Sequence, residues 1–192
     1  MGSKSLKMID SMFKSYKIEK RFGKKIKSFE PGGIVFEDDS ILSSDLTIFI
    51  PASAGHTVLK NSDIPLTEAG FIKIDESCLV TGTENVYAAG DIAAIEGPEW
   101  KAKQGHIAEL MGKQAAYNII MKESGSSKRK SYKEHINILC IMDTGNGAAF
   151  VFRNGKRAFA IPMPWLGHLV KRGWGQYAQL TKRGIIPRFP GL

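Results

Sequence analysis

Three short stretches of the chain carry residues whose types and spacing could do chemistry. The first runs from Asn85 to Asp91, where Val86 and Tyr87 favour a strand and only small residues follow up to Gly90. A flat ligand can approach a backbone that carries almost no side chains. Asp91 stands at the predicted strand end, where its carboxylate can accept hydrogen bonds from ligand hydroxyls. The alternative is a buried strand with a capping acid, since acids are common caps.

The other two stretches surround Lys103 and Cys140. Lys103 precedes Gln104 and Gly105 at the predicted start of a helix, and the alternative to a ligand contact there is an exposed lysine. Cys140 lies in an apolar strand and is either a reactive thiolate or a buried structural thiol. Cys78 is interpreted as incidental. The cysteines and histidines show no zinc-type spacing, so no metal site is predicted.

The composition limits the function classes. The chain has 192 residues, 43% of them hydrophobic, a net charge of +8 and a pI near 9.5. This balance indicates an anionic partner surface, but no helix-turn-helix, zinc-finger or ribonucleoprotein-type motif supports nucleic acid. No apolar run reaches the roughly 18 residues of a membrane span. Two cysteines and no signal peptide favour a reducing, cytoplasmic compartment.

The elements that must position these residues begin with an amphipathic helix, predicted over residues 4–16. Short strands are predicted at residues 34–36 and 41–42, as parts of a hairpin. Residues 45–50 are predicted to form a fully buried strand, because the run is almost entirely apolar. Residues 71–75 alternate apolar and polar side chains, which predicts a further strand.

The second half begins with the clearest helix, predicted over residues 104–122 with a wide apolar stripe. A flexible basic segment follows at residues 123–130. Three strands are then predicted at residues 136–142, 148–152 and 157–161, the last two joined by a two-residue Asn154-Gly155 turn.

The C-terminal tail, residues 164–192, mixes large aromatic rings with cations, which is typical of a membrane interface. The alternative is a C-terminal helix docked on its own domain. The glycines and prolines of this tail argue against one long regular helix.

These residues carry a resemblance to known flavoproteins. Residues 83–91 resemble the second flavin-binding motif of the two-dinucleotide-domain flavoproteins, and residues 45–51 and 70–75 match the usual run into it. Residues 101–109 resemble the helix whose N-terminus points at the flavin ring. More specifically, residues 137–151 resemble the C-terminal segment of sulfide:quinone oxidoreductases. Flavocytochrome c sulfide dehydrogenases and type II NADH dehydrogenases are relatives, and the resemblance covers nearly the whole chain.

The resemblance implies FAD as the cofactor, with sulfide and a quinone as reaction partners. It implies that Asp91 contacts the ribitol chain and that Lys103 places positive charge near the flavin N1/O2 edge, where charge grows on reduction. It implies that Cys140 forms a sulfur bridge with an upstream cysteine. The cofactor-binding residues expected on this basis are Gly90, Asp91, Ile92, Lys103, Gln104 and Gly105, and the expected catalytic residue is Cys140.

The expected fold class is α/β with mixed α+β character, a partial FAD-binding domain with a strand-rich C-terminal segment and an amphipathic tail. Residues 1–44 would end a middle, NAD-type domain, residues 45–122 would be the C-terminal half of the FAD-binding domain, and residues 123–192 would form an interface or membrane-facing domain. The sequence contains no Gly-x-Gly-x-x-Gly turn of the kind that holds the FAD pyrophosphate at a helix N-terminus. We therefore expect the chain by itself to bind FAD weakly and to be inactive.

Two alternatives stay open at this point. One is a fragment of a type II NADH dehydrogenase or of a flavocytochrome c sulfide dehydrogenase. The other is a non-enzymatic basic module that binds membranes. For both the sulfide:quinone hypothesis and this module, the expected location is the cytoplasmic side of a membrane, as a peripheral protein.

Overall fold

The computed structural model describes residues 3–143, 145 and 147–187. The remaining residues of the Cys140 motif (Thr144 and Asn146) and of the tail (188–192) lie outside the described part. The described residues form a mixed structure of α-helices and antiparallel sheets, which confirms the predicted fold class. The chain divides into two compact units, one of residues 7–53 and one of residues 1–6 and 54–192. The three-part domain division expected from the sequence stays a prediction.

The first helix and the first sheet follow the sequence pattern. Helix α1 spans Ser3–Ser15, as predicted. Strands β1 (Ile26–Glu30), β2 (Gly33–Phe36) and β3 (Ile41–Ser43) form an antiparallel sheet in that order. Gly32 makes the turn between β1 and β2 with a φ of +85°, a value that side chains rarely tolerate.

The buried strand predicted for residues 45–50 is absent, so that prediction is wrong. Leu46, Ile48 and Ile50 are 78%, 80% and 87% exposed. Within this run, Phe49 contacts the ring of Phe29, with the two ring centroids 5.1 Å apart in an edge-to-face arrangement. Apolar composition does not suffice for a strand, because the backbone also needs a neighbouring strand for its hydrogen bonds. None of the described strands provides that neighbour.

The strands predicted at residues 71–75 and at Val86–Tyr87 are reduced to isolated bridges. Ile72 bridges Leu66 and Ala93, Ile74 bridges Val80, and Leu79 bridges Tyr87. The predicted alternation holds, since Ile72 and Ile74 are buried, whereas the expected burial of Val86 is wrong. These bridges surround the core of the larger unit, which consists mainly of Ile72, Ile74, Cys78, Val80, Ala93, Ile107, Met111, Ala115 and Tyr132.

Helix α2 spans Gly105–Glu123, close to the predicted bounds. Its buried face recurs every three or four residues and includes two polar residues: Ile107, Met111, Gln114, Ala115 and Asn118. Ile119, which was expected in the apolar stripe, is exposed. Asn118 is buried because its amide is fully used: Nδ2 donates to the carbonyls of Ser77 and Lys130, both at 2.9 Å, and Oδ1 accepts from the Lys130 N–H at 2.7 Å.

The second sheet matches the sequence prediction. Strands β4 (Ile138–Asp143), β5 (Ala148–Arg153) and β6 (Ala158–Met163) pair antiparallel without a register shift. The predicted two-residue turn between β5 and β6 is wrong. Arg153 pairs with Ala158, which leaves a four-residue loop, and the Asn154 side chain accepts the N–H groups of Lys156 and Arg157 in that loop.

Helix α3 spans Leu166–Lys182 and packs on the second sheet. The expectation that glycines would interrupt a long helix in the tail is wrong. Gly167 is buried where a side chain would overlap Ala148 of β5, so this glycine permits the close approach of helix and sheet. That packing outweighs the helix propensity lost at each glycine, about 1 kcal/mol. No helix in the described part of the chain is long and apolar enough to cross a membrane.

Candidate functional site

The Gly90-Asp91 turn lies directly against the first turns of α2. Residues Gly90–Ile92 form one turn of 3-10 helix, closed by the hydrogen bond from the Ala93 N–H to the Gly90 carbonyl at 3.0 Å. Gly90 has a φ of +77°, and a Cβ at this position would lie 3.1 Å from the Cβ of Ala108 in α2. Glycine is therefore required twice, by backbone conformation and by space. The turn leaves the Asp91 side chain exposed.

Lys103 joins this turn to the start of α2. Its ammonium group donates to the backbone carbonyls of Asp91 and of Ala93, the latter at 3.1 Å. It also lies 3.6 Å from the centroid of the Phe71 ring. Burial lowers the pKa of Lys103, and the Asp91 carboxylate opposes that shift. The lysine thus fixes the shape of the turn, while the predicted contact with the flavin stays a prediction.

The N-terminus of α2 offers unused hydrogen-bonding groups. Gln104 is the N-cap residue, in extended conformation, and its side chain makes no capping hydrogen bond. The first N–H groups of a helix have no partner within the helix, and the helix dipole makes this end favourable for an anion. Gln104 Oε1 is buried and accepts no hydrogen bond from any described residue. A carbonyl oxygen in this state is suited to an N–H or O–H donor of a ligand.

Cys140 lies in the middle of β4, opposite Val151 of β5. It is half-buried and lines a cavity of about 550 Å³, into which the N-terminus of α2 also projects through Gln104 and Gly105. The other principal lining residues come from the following turn of α2, from β4 and β5, and from α3: His106, Glu109, Leu139, Ile141, Phe150, Lys171, Trp174, Tyr177, Ala178 and Lys182. The cavity therefore combines a thiol, apolar walls and a few charged groups.

Ion pairs hold α3 as the outer wall of this cavity. Lys171 Nζ lies 3.0 Å from the Asp143 carboxylate at the end of β4, and Lys182 Nζ lies 3.7 Å from Glu109 of α2. The Gly145 N–H and then the Lys171 ammonium lower the pKa of Asp143. These contacts tie both ends of the cavity-facing side of α3 to the elements that carry Cys140 and Gln104.

The structure brings the predicted site residues together in two groups. Lys103 contacts the turn formed by Gly90, Asp91 and the exposed Ile92. Gln104, Gly105 and Cys140 line the same cavity. Cys78 belongs to neither group. Its thiol is fully buried with Sγ 3.7 Å from the Met111 carbonyl, and burial together with the Asp75 carboxylate raises its pKa to about 11.

Sequence reasoning missed the residues of α3 that close the cavity. Lys171, Trp174, Ala178 and Thr181 recur every three or four positions along α3, so they lie on one face of the helix. The signal was in the sequence, but the glycines and prolines of the tail obscured the helical period. His106 of α2 also lines the cavity.

A second cavity, of about 760 Å³, lies beside Lys103 and the residues that follow the Gly90-Asp91 turn. Its walls include Phe71, Lys73, Lys101 and Lys103, together with residues 93–97. Lys103 is engaged with the carbonyl groups described above, and Lys73 and Lys101 are exposed on the surface. No ligand class follows from this lining.

A comparison with protein families gives one finding. A family model described as pyridine nucleotide-disulphide oxidoreductase matches residues 1–115. The matched region contains α1, the first sheet, the Gly90-Asp91 turn and the N-terminal half of α2. It ends before β4, so the strand that carries Cys140 lies outside it.

Proposed function

The chain belongs to the pyridine nucleotide-disulphide oxidoreductase family, a family of flavoprotein oxidoreductases, and we propose that it is the C-terminal part of a member of the sulfide:quinone oxidoreductase type. In this proposal the Gly90-Asp91 turn and the start of α2 contact FAD. Cys140 forms an S–S bond in the course of sulfide oxidation, and a quinone is the final electron acceptor.

One observation carries the proposal: Cys140 and the N-terminus of α2 line the same cavity. The resemblance of residues 101–109 implies a flavin ring at this helix N-terminus, and that of residues 137–151 implies a redox role for the thiol. A thiol that reacts with a flavin must share a space with it, and this cavity borders both the Cys140 thiol and the proposed flavin position. Its apolar lining, with Phe150 and Trp174, suits a flat quinone ring.

The residues present fit part of FAD. Members of the family typically bind FAD or NAD(P). The orphaned Gln104 Oε1 and the free N–H groups at the start of α2 are complementary to the flavin pyrimidine edge, which alternates carbonyl acceptors with an N–H donor. The exposed Asp91 carboxylate is suited to ribitol hydroxyls. These 192 residues contain no Gly-x-Gly-x-x-Gly turn that could bind the FAD pyrophosphate. We therefore propose that the chain alone binds FAD weakly.

When bound, FAD supplies a two-electron acceptor. The chain's own contribution is to hold that acceptor's polar edge at the start of α2, to present the Cys140 sulfur and to limit water through β4, β5 and α3. A persulfide or disulfide at Cys140 requires a second sulfur. Forming the S–S bond from a thiol and sulfide, or from two thiols, releases two electrons, which bound FAD would accept, and two protons. Cys78 cannot provide it from the core, so the partner sulfur comes from sulfide or from a cysteine outside this sequence.

The test joins these 192 residues behind the dinucleotide-binding half of a sulfide:quinone oxidoreductase. We expect sulfide-dependent reduction of a short-chain ubiquinone. In Cys140→Ser this activity should fall by about a hundredfold or more, because no sulfur remains at this position to form an S–S bond with the sulfide sulfur. The matched control is Cys78→Ser, whose catalytic rate should equal that of the parent, after correction for the folded fraction.

Activity that survives Cys140→Ser would exclude the proposed role of the thiol. If the same fusion then oxidises NADH rather than sulfide, the type II NADH dehydrogenase alternative replaces it. If sulfide electrons reach a c-type cytochrome but not a quinone, the flavocytochrome c alternative does.

The outer face of α3 supports a second proposal, peripheral binding to the cytoplasmic face of a membrane through residues 164–192. Trp165, Leu166, Leu169 and Val170 are exposed, and Phe159 and Ile161 of β6 are exposed as well. Arg172 and Arg183 lie on the same helix or directly after it. Exposed aromatic and aliphatic side chains beside cations match the boundary between lipid headgroups and acyl chains.

Flotation with liposomes containing anionic phospholipid tests this proposal. The wild-type chain should float with the vesicles, and the pair Trp165→Ser and Leu169→Asp should reduce the bound fraction several-fold. Ile48→Asp is the matched control, because it removes an equally exposed apolar side chain outside the tail. Equal flotation of the three proteins, or none by the wild type, would remove the membrane contact and with it the membrane-binding module as an alternative.

A further inference from the structure

Residues 45–50 form an apolar run that the described part of the chain leaves largely uncovered. Leu46, Ile48 and Ile50 are exposed, and the run belongs to no helix or strand. None of its backbone N–H and C=O groups makes a backbone hydrogen bond with a described residue. The run is rich in β-branched and aromatic side chains, contains no proline and carries one charge. This is the composition of a strand, and here the strand lacks a neighbour.

The two sides of the run differ. In an extended segment, successive side chains point to opposite sides. Phe49 contacts Phe29 of β1, which places one side of the run against a strand of its own unit. Leu46, Ile48 and Ile50 are two positions apart, and each is more exposed than Phe49. The run therefore offers both unpaired backbone groups and an outward apolar side.

These two features narrow the partner. Beyond Asp45 the run carries no charge, so electrostatic complementarity disfavours nucleic acid and highly charged peptides as partners. Unpaired N–H and C=O groups are matched by the backbone of a second extended segment. An exposed apolar segment with such groups is a template for pairing with another chain. A second copy of the run meets both conditions, because it is apolar and offers the same unpaired groups.

The charge of Asp45 determines the direction in which two copies of the run would pair. In a parallel pair in register, Asp45 would lie beside its own copy, and like charges opposite each other are destabilising. In an antiparallel pair centred on Ile48, the two Asp45 carboxylates lie at opposite ends, each beside Pro51 of the other copy. The remaining pairs across the axis are Leu46 with Ile50, Thr47 with Phe49, and Ile48 with itself.

The apolar area of the run determines how strong such a pair can be. An aromatic side chain buries roughly 150–250 Å² and an aliphatic one less, so one run can bury on the order of 500 Å². Two copies together would bury about 1,000 Å², which is the lower limit for a specific interface. We therefore expect a weak dimer, with a dissociation constant on the order of 10 μM, rather than a permanent one.

We propose that two copies of this chain associate through residues 45–50, which form an antiparallel pair of strands about a twofold axis at Ile48. The pair gives the backbone groups their partners and covers part of the outward apolar side. Pro51 has no N–H and ends the ladder of hydrogen bonds. The twofold axis uses the same surface on both copies. The inference does not depend on the proposed redox function.

Sedimentation equilibrium of the 192-residue chain, at about 1 to 200 μM, tests the proposal. We expect a dimer whose fraction rises with concentration. Ile48→Lys and Ile48→Glu each place like charges opposite each other at the axis, so each variant should dimerise at least tenfold more weakly. An equimolar mixture of the two variants should form a heterodimer, because the introduced charges then attract. Ile48 is 80% exposed, so neither change removes a core contact.

The matched control is Ile41→Lys, in β3 of the same unit. Ile41 is 68% exposed and pairs with Val35, whereas Phe29 pairs with Ile34. Side chains alternate along a strand, so Ile41 lies on the face of the first sheet away from Phe29 and from the run. This variant should dimerise as the wild type does. Liposome flotation is read at nanomolar protein, where every variant is monomeric.

Three results would overturn the proposal. The first is a wild-type chain that stays monomeric over the whole range of concentrations. The second is an equal effect of Ile48→Lys and Ile41→Lys, which would assign the association to another surface. The third is a mixture of the two charged variants that forms no heterodimer. If the wild type is monomeric and residues 45–50 gain protection from hydrogen exchange only in the fusion protein, the dinucleotide-binding half covers the run instead.

Discussion

The surroundings of Cys78 and Cys140 differ although both cysteines lie near the same helix. Cys78 packs in the core beside Met111 of α2, with no solvent access. Cys140 lies on a strand that faces a cavity, which the first turn of the same helix helps to line. The side of α2 that carries Met111 is thus covered by the bridged segments at residues 66–93, and we call it the closed side. The N-terminus of α2 borders the cavity between β4 and α3, and we call it the open side. Burial, rather than residue type, decides which thiol can react.

The largest effect should appear in thiol labelling. With a pKa of about 11, Cys78 in the folded chain is about one part in a thousand thiolate at pH 8, against roughly a tenth or more for an unfolded cysteine. Alkylation of Cys78 by iodoacetamide should therefore be about a hundredfold or more slower in the folded protein than in urea, and burial slows it further. Peptide mass spectrometry resolves the two sites.

Cys140 provides the internal comparison in that experiment. It should be alkylated in the folded chain while Cys78 remains free, and FAD or a quinone analogue in excess should slow its reaction. Comparable labelling of both thiols in the folded chain would mean that the core around Cys78 opens readily, and the distinction between the two regions would fail.

The second effect concerns the closed side of α2. Asn118→Leu removes hydrogen bonds to both Ser77 and Lys130 and leaves buried backbone groups unpaired. We expect the free energy of unfolding to fall by about 3 kcal/mol, measured by urea denaturation. Gln179→Leu, an exposed position on α3, should change it by less than about 0.5 kcal/mol. A similar loss in both variants would show that the closed side is no more stabilising than the surface.

The third effect concerns the Gly90-Asp91 turn, which contacts α2 near its N-terminus. Gly90→Ala places a Cβ 3.1 Å from Ala108 Cβ in a backbone with φ of +77°. The expected loss of stability is about 1 to 2 kcal/mol. Gly155→Ala is the control, since the Cβ would meet nothing there and its φ is not positive. Equal effects of the two changes would contradict the tight contact between the turn and α2.

The smallest effect concerns the ion pair between Asp143 and Lys171, which holds α3 over the Cys140 cavity. Asp143 has a lowered pKa because it accepts the Gly145 N–H and pairs with Lys171. Its ionised form therefore stabilises the folded state above the ordinary carboxyl pKa near 3.8, and this contribution is lost as the pH falls through the lowered value. Asp143→Asn should lower the urea midpoint slightly at pH 7, and the difference from wild type should shrink as the pH falls below the ordinary carboxyl pKa near 3.8. A difference that does not change with pH would assign the effect to packing.

The sequence predicted α1, α2 and the second sheet well, because their signals are local. Apolar side chains recur along α2 with the helical period, and β4, β5 and β6 are apolar runs separated by turn residues. The failures at residues 45–50 and at Val86 have a common cause. A strand depends on a neighbouring backbone that the local sequence does not specify.

For the candidate site, the sequence identified the Gly90-Asp91 turn, the start of α2 and Cys140 as separate stretches. The sequence did not identify α3 as a wall of the cavity, because its glycines predict interruptions of a helix. The structure shows instead that Gly167 allows α3 to pack closely on Ala148.

The sequence by itself determined the residue types at the site and the helical periods of α1 and α2, since both depend on side chains a few positions apart. Only the tertiary structure decided that Cys140 shares a cavity with Gln104 and Gly105 and that Cys78 is enclosed in the core. The physical reason is distance along the chain. Cys140 and Gly105 are separated by 35 positions, and contact between such positions depends on packing of the whole unit rather than on any local propensity.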